Sequence, residues 1–156
     1  MWNNQPCILT SKDFTILETM YQRRHLLGDR VRLLLKQKLD ATTVVFAEDI
    51  DDTIVTLNSR VRYRISGHEP QTAIITQSPM GGVVGQSLSL ETVRGMALLG
   101  LPEAAEWALP ARPGEAPERI ELLAVQFQPE AARRERLARE LARPALRLVH
   151  DATLGR

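Results

Sequence analysis

The sequence has a single cysteine, Cys7, so no internal disulfide can form and a reducing compartment is expected. Aromatic residues are 4% of the chain, too few to supply the stacking platforms of single-strand nucleic-acid binders. No apolar run is long enough to span a bilayer, and no signal-peptide layout precedes the polar run Asn3–Gln5. A cytoplasmic protein without membrane attachment is expected. Charge of one sign is also missing: the net charge is +1 with 25% charged residues, so only local clusters can select a charged partner. The three histidines, His25, His68 and His150, lie in separate segments without ligand-like spacing. There is no G-x-S-x-G nucleophile elbow, and Cys7 has no histidine beside it. No catalytic constellation, metal site or cofactor is therefore expected.

What the 156 residues do contain is 44% hydrophobic, enough for one self-supporting core with an appendage. Residues 1–11 read as a loose leader. From Ser11 or Lys12 the pattern is helical, with Phe14, Leu17, Met20 and Tyr21 on one stripe. Gly28 breaks it. Asp29 is a candidate N-cap for a second helix whose Val31, Leu34, Leu35 and Leu39 share a face. Two amphipathic helices with a short turn imply an antiparallel hairpin, here with a basic turn of Arg23, Arg24, His25, Arg30 and Arg32. A connector follows, ending in Glu48, Asp49, Asp51 and Asp52. Read as a calcium loop from Asp49, it has Ile54 and Arg60 where glycine and glutamate are required, so a solvated connector is the better reading.

The period then changes to two. Over Ile54–Ile65, Val55, Leu57, Val61, Tyr63 and Ile65 alternate with Thr56, Asn58, Arg60, Arg62 and Arg64, predicting an antiparallel strand with one wet face. Further strands are predicted at Thr72–Gln77, in the stretch from Gln86, at Glu106–Leu109 and at Arg119–Phe127. Pro79–Gly85 lacks the lysine and hydroxyl of a phosphate cradle and reads as a hairpin loop. In the stretch Gln86–Leu101, Leu88 and Leu90 alternate and Gly95–Leu99 makes about one helical turn, which Gly100 can end as a left-handed cap. This forms a shoulder that plugs the end of a small sheet with Leu98, Leu99 and Leu101. Pro129 opens a last helix over Glu130–Arg143, with Leu137 and Leu141 as a thin apolar edge and Pro144 as its stop. The row Arg60, Arg62, Arg64 is the most suggestive charge feature. It reads either as an ordinary wet face, with Glu121 available on a neighbouring strand, or as a docking face for an acidic protein or phosphates.

Three segments resemble a known family. Val55-Thr56-Leu57-Asn58-Ser59-Arg60-Val61 is similar to the V-T-M-N-S-R-V strand of the Rnk-type nucleoside diphosphate kinase regulators, short relatives of the Gre transcript-cleavage factors. Gly95–Leu101, GMALLGL, resembles their G-A-A-L-L-G-L shoulder and the Gre G-R-A-L-L-G. Phe127–Ala132, FQPEAA, resembles the ending Y-Q-P-E-A-A. Spacing fits as well, and the resemblance covers about residues 12–132. It implies an α+β fold: a helical hairpin and connector over 12–52 and an FKBP-like antiparallel domain over 53–129; the helical tail expected over 130–156 comes from the sequence pattern and, beyond Ala132, has no counterpart in the short relatives. It implies a non-enzymatic regulator, expected to be a monomer, that binds RNA polymerase near the rim of the secondary channel. True Gre factors present acidic residues at the hairpin tip that help hold a catalytic magnesium. Here the turn offers only Asp29, so the cleavage chemistry does not carry over. Val93 replaces the usual proline before the shoulder, and Met96 stands where Gre factors carry arginine. The expected partner contacts are Asn58, Arg60 and Arg62 on the strand and Arg94, Gly95, Met96 and Leu99 on the shoulder. An FKBP-like peptidyl-prolyl isomerase is an alternative reading, but Tyr63, Trp107 and Phe127 are few aromatics for such a pocket. The other alternative, an RNA-binding module using the arginine row and the tail, leaves direct nucleic-acid contact open.

Overall fold

The computed structural model describes residues 6–79 and 86–154, with side chains as far as Ala142. The expected leader is partly a strand. β1, Cys7–Thr10, pairs in parallel with β2, Thr42–Val45, and buries Cys7, Leu9 and Thr10. A four-residue strand is too short to display a period, and its partner lies 35 positions away along the chain (Cys7 against Thr42), so nothing local marks it. The Ile8 amide donates to the Gly100 carbonyl at 3.0 Å, which ties this small ladder to the shoulder. Thr10 then caps α1, Ser11–Gln22, its hydroxyl accepting from the Asp13 amide at 3.1 Å. After a 3-10 turn over Arg24–Leu26 comes α2, Asp29–Ala41. Gly28, not Asp29, is its N-cap; Asp29 sits in the first turn and pairs with Arg32. Leu17 of α1 and Val31, Leu34 and Leu35 of α2 are buried, as the helical stripes predict, and they join the same core as the sheet.

That sheet has five strands in the order β5-β4-β3-β7-β6. They are β3 (Arg60–Ile65), β4 (Gln71–Thr76), β5 (Ser87–Ser89), β6 (Glu106–Leu109) and β7 (Glu118–Phe127). All neighbours are antiparallel except β4 and β5, which run parallel. The fold is thus mixed α+β. The predicted strand from Ile54 begins only at Arg60. Residues 56–59 instead form a tight turn in which the Ser59 hydroxyl accepts from the Thr56 amide and Asn58 takes φ +70°. Val55 and Leu57 remain buried, so the alternation there reflects packing without a ladder. The glycines Gly81, Gly82 and Gly85 of the predicted loop lie outside the described residues.

The shoulder is α3, Val93–Leu98. Thr92 caps it by accepting from the Gly95 amide at 3.1 Å. Gly95 has to be glycine because a Cβ would fall on the Ser89 carbonyl, and Gly100 ends the turn at φ +86° with Cys7 Sγ 2.7 Å from where its Cβ would lie. Leu98, Leu99 and Leu101 are buried under the sheet end, as anticipated. The last helix, α4, runs Pro129–Leu154 and passes through Pro144, the predicted stop. Proline there removes one backbone donor, but the alanine-, leucine- and arginine-rich sequence on both sides favours helix strongly enough to continue. No helix among the described residues is long and apolar enough to cross a membrane.

Candidate functional site: the shoulder and the groove beside it

A short helix such as α3 leaves its last carbonyls without partners. Here a buried lysine supplies them. Lys38, on the inner face of α2, is fully buried, and its Nζ donates to the Ala97 carbonyl at 2.6 Å and to the Leu99 carbonyl at 2.7 Å. The ammonium also lies 4.1 Å from the centre of the Trp107 ring. Trp107 is fixed in turn by donating its Nε1–H to Gln37 Oε1 at 3.1 Å. A cation at a helix C-terminus is electrostatically favoured, yet loss of water lowers the Lys38 pKa from 10.5 to about 8. One charged side chain therefore joins α2, α3 and β6 and sets the shoulder's orientation.

Above it runs an open groove of about 500 Å³. Arg30, Arg94 and Arg112 line it with the apolar groups of Leu88, Val93 and Leu109, and with Glu115 and Glu118. Arg30 is braced by donating its Nε–H to the Pro110 carbonyl at 2.8 Å. Among the described residues none of these three arginines is in an ion pair. A second hollow, lined by Val31, Ala111 and Pro113 among others, shares Arg30, Val93 and Arg112 with the first, so the groove continues along the start of α2. Cations beside apolar surface suit an acidic segment that also carries an apolar side chain.

The seven contacts expected from the sequence do not form one surface. Arg94 is exposed on the groove side, its Nη1 3.5 Å from the hydroxyl of Tyr63, a residue that points into the core. Arg60 and Arg62 are exposed on the opposite face of β3, Arg60 beside Ile74 and Phe127, Arg62 beside Thr72 and Ala124. Arg64 in the same row pairs with Glu121 at 2.8 Å. Asn58 is exposed at the turn before β3. Gly95, Met96 and Leu99 are a correction: all three are buried, because α3 turns its apolar side into the core, and they shape the shoulder from beneath without offering contact area.

No family model matches the chain. Among curated proteins, the regulator of nucleoside diphosphate kinase of Escherichia coli strain K12 is 27% identical over 128 residues, covering 80% of this chain and 92% of that protein. The Shigella flexneri protein of the same name matches to the same extent. Among solved structures, a prokaryotic transcription elongation factor GreA/GreB from Nitrosomonas europaea aligns with a TM-score of 0.59 and 28% identity, over 78% of this chain and 99% of that one. Over about four-fifths of its length the chain is thus similar to the regulators of nucleoside diphosphate kinase and to a Gre elongation factor. The family-like segments now have physical roles. Gln128 is buried and closes three backbone groups. Its Nε2 donates to the carbonyls of Asp51 at 2.7 Å and Ile54 at 2.8 Å, and its Oε1 accepts from the Ala131 amide at 3.1 Å. Pro129 opens α4, and Glu130 accepts from the Thr56 hydroxyl at 2.6 Å. The Phe127–Ala132 segment is thus a clasp holding the turn at 56–59 to the sheet.

Sequence reasoning missed Lys38 and Asp13. Asp13 is buried and accepts from the Leu57 amide at 3.2 Å. Burial first, and Glu130 nearby, push its pKa up from 3.8 to about 6. The signal for Lys38 was present: it falls four residues after Leu34, on the apolar stripe of α2. The acidic connector is local in character. Asp51 Oδ1 accepts from the amide and hydroxyl of Thr53, at 3.0 and 2.7 Å, and those bonds hold its pKa down. Among the described residues no three potential ligands gather into a metal site.

Proposed function

We propose that this Gre-like chain is a transcription regulator that docks on RNA polymerase through the shoulder groove and does not cleave transcripts. The observation that carries the reading is the trio Arg30, Arg94 and Arg112 beside apolar surface, over a shoulder braced by Lys38. The rim of the polymerase secondary channel is the docking place that the family resemblance implies, and a cytoplasmic location follows from that partner. Residues 12–52 act as a short helical hairpin with its connector, and residues 53–129 as an FKBP-like adaptor module. Lack of cleavage is supported by the link between α1 and α2. It carries Arg23, Arg24 and His25, and its neighbouring carboxylate, Asp29, is committed to Arg32. Two free tip carboxylates that would help hold a magnesium ion have no counterpart in that link. Asn58, Arg60 and Arg62 form a second, weaker patch that faces a different segment of the partner.

Co-purification with polymerase tests this. Wild type should be retained, the Arg30→Glu, Arg94→Glu, Arg112→Glu variant should be lost, and Arg60→Glu, Arg62→Glu should be reduced only slightly. Backtracked elongation complexes should release no cleaved RNA in the presence of the wild-type chain. Failure of the wild type to be retained, or cleavage above the polymerase's own rate, contradicts the reading.

A further inference from the structure

The start of α2 borders the basic groove, and its end runs into β2, which is an open edge. β2 pairs with β1 on one side, and among the described residues no strand lies on its other side. Outside that ladder, no backbone hydrogen bond among the described residues involves Thr42–Val45. Thr43 and Val44 point to opposite faces and both are exposed, so the strand meets solvent on both faces at this rim. Val44 is 43% exposed, and Phe46, two places on, is 67% exposed. The Phe46 backbone is nevertheless held firmly. Its carbonyl accepts from the Asp49 amide at 2.9 Å, and the next carbonyl, Ala47, accepts from Arg134 Nη1 at 2.9 Å. Proteins commonly blunt a sheet edge with lysine, proline or a bulge. The run Thr42-Thr43-Val44-Val45-Phe46 carries no lysine or proline, its register with β1 is continuous, and its residue types favour strand.

We propose that the free edge of β2 takes an extended, basic segment of a partner protein as an added strand, with Val44 and Phe46 gripping its apolar side chains. Charge identifies the occupant. From Leu39 to Ser59 the sequence has no lysine or arginine and five acidic residues, Asp40, Glu48, Asp49, Asp51 and Asp52. They bracket the strand. Asp40 precedes it and pairs with Lys36 at 3.3 Å; Glu48 and Asp49 follow it, exposed and in no ion pair among the described residues. A second copy of the chain is therefore a poor occupant. Added antiparallel, its Glu48 and Asp49 meet Asp40; added parallel, they meet Glu48 and Asp49, so acid faces acid in either orientation. A segment with lysine or arginine on both sides of alternating apolar residues meets attraction at both ends instead. In this mode of recognition main-chain bonds supply affinity and alternate side chains supply specificity. The edge is also separate from the groove: Arg30 and Ala41 lie about 16 Å apart along α2, at 1.5 Å per residue. An acidic segment at one end of α2 and a basic one at the other can thus be held together, and neither assignment depends on the other.

Nuclear magnetic resonance titration of the full chain tests the proposal. The probe is a short synthetic peptide of alternating valine and threonine with two lysines at each end. The amides of residues 42–46 should shift and gain protection from hydrogen exchange, with a Kd on the order of 100 µM for one short added strand. Glutamates in place of the lysines should weaken binding at least about tenfold. A lysine-flanked peptide with proline at its centre keeps every charge but cannot complete the ladder, and it should not bind. In the protein, Phe46→Ser, and Glu48→Lys together with Asp49→Lys, should each weaken the lysine peptide about tenfold with unchanged far-UV circular dichroism. A lysine peptide that leaves residues 42–46 unshifted overturns the proposal. So does a glutamate or proline peptide that binds as tightly as the lysine one, or protein variants that bind it like wild type.

Discussion

Lys38 offers the sharpest physical test of how the shoulder is held. Its pKa falls from 10.5 in the unfolded chain to about 8 in the fold, and the group is fully buried. That drop corresponds to about 3 kcal/mol of differential cost for the charged form. The sign follows from proton counting. Between about pH 8 and pH 10.5 the unfolded chain holds the proton and the folded chain has released it, so stability rises with pH through that window. The neutral amine still has two hydrogens for the carbonyls of Ala97 and Leu99, so the geometry survives the titration. Lys38→Met keeps most of the stem but removes both donors and the cation over Trp107. Two buried carbonyls without partners cost about 1–3 kcal/mol each, which outweighs the relief from burying no charge. The variant should be less stable at pH 7.5 by about 2–3 kcal/mol. Urea unfolding of wild type and variant at pH 7.5, 9 and 10 is the assay. Other groups titrate in the same range, but they do so in both proteins, so the difference between the two isolates Lys38. That difference should widen with rising pH. A gap that narrows, or stays level from pH 7.5 to 10, refutes the assignment of a strained buried ammonium.

Two further outcomes follow from the same structure. Asp13 has a folded pKa of about 6 against 3.8 unfolded, so its contribution is fully present below about pH 4 and lost as pH rises through 6. Asp13→Asn keeps an acceptor for the Leu57 amide and should raise stability by about 1–2 kcal/mol at pH 7, with no gain at pH 4, read by thermal melts at both pH values. Gly100→Ala places a Cβ against Cys7 Sγ at a residue with φ +86° and should cost about 2–3 kcal/mol, whereas Gly67→Ala, at φ +74° with open space around it, should cost about 1 kcal/mol; chemical denaturation separates the two.

The parts of this fold legible in the sequence are those whose signal is local and periodic. The stripe Val31, Leu34, Leu35 marks the buried face of α2, alternation marks β3, and the Gly95–Gly100 spacing marks the shoulder and its cap. Parts that depend on distant partners were not legible. Cys7–Thr10 becomes a strand only because Thr42–Val45 returns beside it. Thr56–Ser59 keeps the alternation of a strand, but its hydroxyl bonds fold it into a turn. For the candidate site, Arg94 was found because it breaks an apolar motif, and its partners Arg30 and Arg112 were not, since they are 64 and 18 positions away by number and only tertiary packing makes them neighbours. A family-like motif marks Met96 and Leu99 and so suggests contacts there. The structure assigns that motif's spacing to burial under the sheet.

We propose that the shoulder groove is the surface by which this protein meets RNA polymerase. Its most direct test is an equilibrium titration of purified polymerase with labelled full-length chain, comparing wild type with the Arg94→Glu variant at two salt concentrations. Wild type should bind saturably and Arg94→Glu at least about tenfold more weakly, with the gap shrinking as salt rises. Equal affinity of the two proteins, or no saturable binding by either, would contradict it.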